Sequence, residues 1–224
     1  MSADPHGSAP PKLMIYEAAN HPLLGRVPRA SKRVLDVGCG TGAFGKEIKN
    51  EMDCEVVGIT YSEAEAALAR SYLDEVVVCD LNNFEPDGMA PFDCIVCSHV
   101  LEHLVQPEKL LKRLLSLMSS EGTLLVGLPN VLFWHQRWEF VRGRFKYSDG
   151  GLMDRTHYRF FDWAEAQELL TNSGYDVVEA VADGGFPLSR FLLQAGRLLD
   201  RASLKVYPGL FGFQFIFVCR PASK

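Results

Sequence analysis

The sequence lacks a hydrophobic stretch long enough to cross a membrane, because no run of about 18 apolar residues occurs in its 224 residues. Its first eleven residues, Met1–Pro11, are rich in Ser, Pro and Ala and lack the apolar core of a secretory signal. A chain of this length forms one domain with room for an insertion. We therefore expect a disordered tail at 1–12, followed by a single domain at 13–224 of a cytoplasmic protein.

An excess of positive charge is lacking too, since the formal net charge is −5. This balance argues against bulk binding of nucleic acid. Hydrophobic residues make up 47% of the chain and charged residues 23%, which is typical of a folded globule and excludes a disordered chain. The composition therefore predicts no nucleic acid as a partner, although it leaves room for a local basic patch.

The six cysteines lack the pattern of a metal or redox centre. Most lie in apolar runs such as Val76–Cys79 and Ile216–Cys219, which indicates buried thiols in a reducing compartment. Cys94 and Cys97 have the spacing of a redox or zinc motif, but residues three apart on a strand point to opposite faces. No second cysteine pair follows, so the sequence predicts no metal site.

Apolar runs of strand length alternate with segments of helical period. The predicted strands are 33–37, 55–60, 75–79, 92–98, 122–128, 175–181 and 211–219. The predicted helices are 13–24, 43–50, 63–71, 107–118, 163–173 and 187–204, and Ser62 and Asp162 are predicted to cap the starts of the third and the fifth. This alternation predicts an α/β fold with a mainly parallel sheet covered on both faces. In such sheets ligands bind beyond the carboxyl ends of the strands, where the strand order reverses.

A glycine-rich loop follows the first predicted strand. Gly40, Gly42 and Gly45 fit the general pattern of a dinucleotide site, which is a weak signal and leaves a nicotinamide-dependent dehydrogenase as an alternative. Asp36 precedes the first glycine by two residues, and a carboxylate there disfavours a pyrophosphate. It suits a cationic ligand such as S-adenosylmethionine, which carries an ammonium and a sulfonium. A tight turn with a surface aspartate is the purely structural alternative.

Three blocks of the chain resemble a known family. The sequence Asp-Val-Gly-Cys-Gly-Thr-Gly at 36–42 resembles the first motif of class I S-adenosylmethionine-dependent methyltransferases. Residues 92–104 are similar to the family's fourth-strand block, and 154–161 to a block of its bacterial small-molecule, O-antigen and methionine-biosynthesis-type members. The resemblance covers about 30–220. It implies a Rossmann-like, doubly wound sheet of seven strands, with the last strand antiparallel.

The resemblance also implies how the cofactor, S-adenosylmethionine, is held. Its amino-acid end would lie against the first motif, and its adenine against Asp80 and Leu81. Asp80 is also explained as a residue that caps a turn, because Asp is common there. Tyr16 would close over the cofactor or belong to the core. The predicted cofactor contacts are Tyr16, Asp36, Gly38, Cys39, Gly40, Thr60, Tyr61, Asp80, Leu81 and Ser98.

Thr60 departs from the family pattern, which has an acid at the end of the second strand to bind the ribose hydroxyls. A threonine hydroxyl makes fewer and weaker hydrogen bonds than a carboxylate. Glu63 or Glu65, at the start of the next helix, could supply the acceptor. This departure also leaves open a catalytically silent methyltransferase-like partner that regulates another enzyme.

Histidines are the candidates for catalysis, because methyl transfer to an aliphatic hydroxyl needs a base within hydrogen-bond reach. His99 and His103 have the spacing that places two side chains on one face of a helix. His157 lies in a block that resembles the family. A packing or capping role for His103 and a loop-ordering role for His157 remain open. Asn130 either touches the substrate or forms a plain turn.

The segment 129–161 has no clean period and predicts a lid over the substrate. Between Trp134 and Phe161 it holds eight of the chain's 24 aromatic residues and six Lys or Arg against three acids. This suits an anionic or ring-bearing small-molecule acceptor, such as a sugar, lipid-linked or natural-product hydroxyl. The alternative is a loop whose aromatic side chains pack on the fold. Oxygen is favoured over nitrogen or carbon as the methylated atom.

The segment 186–204 is amphipathic. We expect it to pack against the sheet or against a second subunit in a homodimer. A position on a membrane surface is the alternative.

Overall fold

The computed structural model describes residues 19–187, 189 and 192–222. Seven strands form one sheet in the order β3-β2-β1-β4-β5-β7-β6. Strand β7 is antiparallel to both β5 and β6, and the other pairs are parallel. The predicted α/β fold with one antiparallel strand is therefore confirmed. The strands are β1 (Arg33–Val37), β2 (Glu55–Thr60), β3 (Glu75–Val78), β4 (Phe92–Ser98), β5 (Met118–Pro129), β6 (Tyr175–Gly184) and β7 (Gly212–Pro221).

Helices connect the strands and cover both faces of the sheet. They are α1 (His21–Leu24), α2 (Ala43–Glu51), α3 (Glu63–Ala69), α4 (Pro107–Leu115), α5 (Trp134–Val141), α6 (Trp163–Asn172), α7 (Leu193–Val206) and α8 (Pro208–Phe211). The predicted helix starts at Ser62 and Asp162 are confirmed, because both side chains accept hydrogen bonds from backbone N–H groups of the first turn. Among the described residues, no helix is long and apolar enough to cross a membrane.

The central strand β4 separates two hydrophobic layers. Cys97 packs with Leu35 and Leu111 on one face, whereas Cys94 packs with Val34 and Ile48 on the other. All six cysteines are free thiols. Each fully buried aliphatic side chain in these layers contributes about 1.5–3 kcal/mol to folding. The sheet therefore forms a rigid platform at the centre of the molecule.

The structure differs from the sequence prediction around α4 and α5. Helix α4 ends at Leu115, and Met118 starts β5, where it pairs with Phe92. The side-chain hydroxyl of Ser116 donates a hydrogen bond to the Arg113 carbonyl at the end of the helix. The apolar residues from Leu114 to Met118 follow a helical spacing in the sequence, but the helix ends and the next strand begins within this stretch. Helix α5 lies inside the segment predicted to be irregular, and it has no buried residue that would give it a readable period.

The predicted helix at 187–204 begins six residues later, at Leu193, where α7 starts. Helix α7 packs against β6 and α8. Its face is only partly covered, since Leu198 is 67% exposed. Residues 188, 190 and 191 and the predicted tail at 1–12 lie outside the described residues.

Candidate functional site

The turn after β1 lies where the strand order reverses between β1 and β4, which is where ligands bind in such sheets. Gly38 and Gly40 both have positive φ, at 74° and 52°. A Cβ atom at Gly38 would lie 2.5 Å from Cγ2 of Val100, so this glycine is pressed against the loop after β4. A Cβ at Gly40 would meet no atom of the described residues within 4 Å. The turn is therefore packed on one side and open to a ligand on the other.

Asp36 is a buried carboxylate without a full set of partners. Its side chain is 2% exposed, and Oδ2 makes no hydrogen bond within the part of the chain that the structure describes. Burial raises the pKa of Asp36 to about 7, against the opposing effect of the Gly45 backbone N–H. A buried carboxylate in this state gains from a cationic partner. The residues present thus fit the ammonium-bearing end of S-adenosylmethionine.

Thr60, at the end of β2, orients a neighbouring acid. Its hydroxyl donates a 2.7 Å hydrogen bond to Oε2 of Glu65, in the first turn of α3. Glu63 is instead paired with Arg70 on the exposed side of α3. Of the two acids that the sequence left open, the geometry selects Glu65 as the carboxylate that stands beside the end of β2.

Asp80 follows β3 and caps the short 3-10 turn Leu81–Asn83. Its carboxylate accepts from the backbone N–H and side-chain amide of Asn82, both at 2.9 Å, and from the Asn83 amide at 3.2 Å. The Asn82 backbone N–H, followed by these amides, lowers the pKa of Asp80. The capping role is thus present. A carboxylate has about four lone-pair positions, so it leaves room for a further donor.

The other predicted cofactor contacts are dispersed around these residues. Tyr61 is 78% exposed beyond the end of β2, and Leu81 packs against the core. Ser98, at the end of β4, accepts a 3.3 Å hydrogen bond from the side chain of Asn20. Cys39 is buried in the glycine turn, and this burial raises the pKa of its thiol. Tyr16 lies outside the described residues.

His99 has both ring nitrogens engaged. Nε2 donates to the side-chain carbonyl of Gln214 at 2.9 Å, and Nδ1 lies 3.2 Å from Oε1 of Glu102. Burial alone would lower the pKa of His99, but the close contact with the Glu102 carboxylate and its negative charge raise that pKa overall. Its φ of 54° is the one positive value among non-glycine residues that the structure describes. The fold holds this ring in a fixed orientation.

The prediction that His99 and His103 share one face of a helix is wrong. Only a 3-10 turn, Leu101–His103, forms here, and His99 precedes it in a left-handed conformation. His103 meets His157 instead, with ring centroids 4.7 Å apart and an angle of 72° between the planes. Nδ1 of His103 contacts the hydroxyl of Thr156 at 3.0 Å and its carbonyl at 3.2 Å. The lid segment thus supplies the partner of His103.

Glu102 is the residue that the sequence analysis overlooked. It is 0% exposed, and neither of its carboxylate oxygens has a well-aligned hydrogen bond within the described ranges. Its backbone carbonyl accepts from the N–H groups of Tyr158 and Arg159 at 2.8 and 3.1 Å, which fixes the lid to the loop after β4. Burial lowers the pKa of the neighbouring His157. The spacing His-x-x-Glu-His, with an acid between two histidines, is the signal that could have identified it.

Asn130 forms a structural turn. Its side chain is buried, donates to the carbonyls of Gly209 and Gly212 at 3.0 and 2.7 Å, and accepts from the Leu132 N–H at 2.9 Å. All its hydrogen-bonding capacity faces the protein, so the substrate-contact interpretation loses its support.

Three of the six basic side chains of the segment 129–161 form ion pairs with two of its acids. Arg142 and Arg144 both bind Glu139, and Arg155 binds Asp149. Large apolar side chains remain in contact with solvent along this segment: Trp138, Val141, Phe145, Tyr147 and Tyr158. The segment 129–161 therefore presents aromatic surface to solvent and also keeps an excess of positive charge.

Known methyltransferases resemble this chain, in agreement with the features of the site. The profile of the family described as "Methyltransferase domain" matches residues 15–180. The chain is 29% identical over 133 residues to the ubiquinone biosynthesis O-methyltransferase of Xylella fastidiosa, covering 57% of this chain and 54% of that protein. It is 33% identical over 112 residues to the trans-aconitate 2-methyltransferase of Variovorax paradoxus, covering 48% and 43%. The chain thus spans about half the length of the curated relatives it matches.

Solved structures agree on the fold. A SAM-dependent methyltransferase from Archaeoglobus fulgidus superimposes with a TM-score of 0.61 at 21% identity, covering 85% of this chain and 86% of that one. Because the family profile spans well over half of the sequence, from the segment before β1 into β6, the chain belongs to the methyltransferase domain family.

Proposed function

We propose that this protein is an S-adenosylmethionine-dependent methyltransferase that acts on a hydroxyl oxygen of a small molecule. The observation that carries the proposal is the buried Asp36 carboxylate, whose Oδ2 has no partner among the described residues and which precedes a glycine turn open to a ligand. Family membership supports the reaction class. The name of the Xylella fastidiosa relative supports oxygen as the methylated atom.

S-adenosylmethionine supplies a methyl group bound to a positively charged sulfur. In the proposed complex, Asp36 and the turn at 38–40 hold its ammonium-bearing end. Glu65, oriented by Thr60, accepts hydrogen bonds from the ribose hydroxyls. Asp80 and Leu81 lie toward the adenine. These residues follow three neighbouring strands, so the extended cofactor would lie across the carboxyl edge of the sheet.

The acceptor would bind between the loop after β4 and the lid at 129–161. A hydroxyl must lose its proton when it attacks a methyl group, and the histidines stand on this side. Burial lowers the pKa of His157, which favours its neutral form, and Nε2 of His103 is not used by its Thr156 contact. His99 is engaged at both nitrogens and acts by fixing Glu102. The exposed aromatic rings of Trp138 and Phe145 would cover a ring-bearing acceptor.

The cofactor site is tested by calorimetric titration with S-adenosylhomocysteine, which keeps the ammonium group. We expect micromolar-range binding by the wild-type protein and at least roughly tenfold weaker binding by Asp36→Asn, since a hydrogen bond to a charged group is worth about 1.5–3 kcal/mol. Equal affinity of the wild-type protein and Asp36→Asn would contradict the assignment of Asp36 to the cofactor site. A thermal shift with the same ligand gives an independent reading.

The acceptor atom is tested separately with matched hydroxyl and amine compounds, by following release of S-adenosylhomocysteine. Turnover of hydroxyl compounds alone supports the proposal. Turnover of amines alone would overturn the choice of oxygen. Binding of the cofactor without turnover of any acceptor would favour the silent regulatory partner.

A further inference from the structure

Three side chains with metal-binding atoms converge where the lid meets the loop after β4. Glu102, His103 and His157 each place one ligand atom within 4.8 Å of the other two. In a tetrahedral site with ligands about 2.1 Å from the ion, the ligand atoms lie about 3.4 Å apart, so these side chains would move closer together to share one ion. Two of the residues belong to the 3-10 turn, and the third comes from the returning end of the lid.

We propose that Glu102, His103 and His157 bind a divalent transition-metal cation. One carboxylate and two imidazoles are a donor set typical of catalytic metal sites, because three protein ligands leave coordination positions open for a substrate. The cysteine pattern of the sequence predicts no metal site. Here the donors come from segments about 50 residues apart, which the fold brings together.

The state of Glu102 is the independent observation in favour of a cation. Glu102 is a fully buried carboxylate with one oxygen facing the His99 ring, and a buried carboxylate favours a donor or a cation at each of its oxygens. Nδ1 of His99 lies 3.2 Å from Oε1, and Oε2 accepts no hydrogen bond from the residues that the structure describes. A cation between Glu102 and the two imidazoles would satisfy the free oxygen.

A supporting hydrogen-bond chain orients His103 as a ligand. The Thr156 hydroxyl donates to Oδ1 of Asp154 at 2.7 Å, which leaves its oxygen to accept from Nδ1–H of His103 at 3.0 Å. With the proton on Nδ1, the lone pair of His103 is on Nε2. Metal-binding histidines are commonly held in this way by a carboxylate or carbonyl group. Asp154 is buried, and the bonds from Thr156 keep its pKa low in spite of that burial.

The position of the cluster connects it to methyl transfer. Val100, which lies two residues before Glu102, is the side chain against which Gly38 of the cofactor turn packs. This role rests on the proposed function. The cation would bind the oxygen of the acceptor's hydroxyl group and lower the pKa of that hydroxyl. The O–H bond breaks, the oxygen keeps the electron pair, and the proton passes to solvent. His103 and His157 then act as ligands, and acceptors with two adjacent oxygens are favoured.

The site is tested by titrating metal-free, full-length protein with cobalt chloride and recording visible absorption and calorimetry. We expect one cobalt ion per chain in the wild type. Affinity should fall at least tenfold in Glu102→Gln and in His157→Gln, and about 10–100-fold in Thr156→Val, which loses only the supporting hydroxyl. His135→Gln, at an exposed histidine of α5, should bind as the wild type does.

Three outcomes would overturn the site: no saturable cobalt binding, equal affinity in Glu102→Gln and wild type, or a thiolate-to-cobalt charge-transfer band that places the ion on a cysteine. Circular dichroism of the metal-free variants shows whether they fold. Undiminished binding of S-adenosylhomocysteine by Glu102→Gln separates loss of the metal site from failure of the cofactor assignment. Cobalt binding without any effect of metal on turnover would retain the site and overturn its role in the reaction.

Discussion

At the scale of single residues, the raised pKa of Asp36 predicts that cofactor binding depends on pH. Its pKa of about 7 means that roughly half of the ligand-free molecules carry a neutral Asp36 at pH 7. A cationic ligand binds the ionised form, so its binding releases a proton and weakens as the pH falls through 7. Affinity for S-adenosylhomocysteine should therefore be about tenfold lower at pH 6 than at pH 8.

Calorimetry at the two pH values checks this, and Asp36→Asn is the control because it has no group that titrates at this position. The same tenfold change in Asp36→Asn would show that another group is responsible.

Glu65 allows a second prediction with a matched control on the same helix. Glu65→Gln removes the charge that Thr60 orients, so binding of S-adenosylhomocysteine should weaken about 10-fold, as expected for losing a charged hydrogen-bond acceptor. Glu63→Gln removes an equal charge whose partner is the exposed Arg70, and it should leave the affinity unchanged. Equal losses in both variants would point to long-range charge instead of a ribose contact.

Residues whose role depends on close neighbours in the sequence were predictable. Ser62 and Asp162 were recognised as helix caps because the acceptor and the N–H groups lie within three residues of each other. The role of His103 was not predictable, because its partners Thr156 and His157 lie more than 50 residues away. The helical spacing of the histidines also misled, because the backbone at His99 is left-handed.

At the scale of elements, Asn130 joins the start of the lid to the turn before β7. Asn130→Ala would leave the carbonyls of Gly209 and Gly212 and the N–H of Leu132 without this partner in a buried site. We expect the free energy of unfolding to fall by about 2–3 kcal/mol, since each unsatisfied buried group costs about 1–3 kcal/mol and partial relaxation recovers some of it. Urea denaturation measures the change.

Asn172→Ala, at an exposed position near the end of α6, is the control and should change stability by less than about 0.5 kcal/mol. A similarly small effect of Asn130→Ala would mean that water replaces the amide.

Elements with a buried face were predicted well, and elements without one were not. Strand β4 was predicted with its observed bounds, because it is apolar on both faces. Helix α5 was missed because it buries no residue and therefore shows no period. The end of α4 was misplaced because Leu117 and Met118 continue the apolar pattern after the chain has left the helix.

At the scale of the whole molecule, stability is expected to depend on the charge of Asp36. A carboxyl group whose pKa is raised by folding contributes stability that is present below its unfolded value of 3.8 and is lost as the pH rises through about 7. Asp36→Asn removes this loss, so the ligand-free variant should melt at a higher temperature than the wild type at pH 8.

The difference should shrink toward pH 5, where Asp36 is neutral in the folded protein. At pH 8 we expect about 1–3 kcal/mol, which corresponds to roughly 2–4 °C per kcal/mol for a chain of this size. Scanning calorimetry across this pH range measures the effect. A variant that is less stable than the wild type at pH 8 would contradict the assignment of an uncompensated carboxylate.

The two thiols of β4 can report the order in which the two sides of the sheet unfold. Cys94 and Cys97 are fully buried on opposite faces of the same strand, and burial raises the pKa of both. Alkylating reagents attack thiolates, so each cysteine reacts only when its own layer opens. Mass spectrometry measures the alkylation rate of each cysteine. Equal rates would mean that the two hydrophobic layers unfold in one cooperative event, and unequal rates would identify the layer that becomes exposed first.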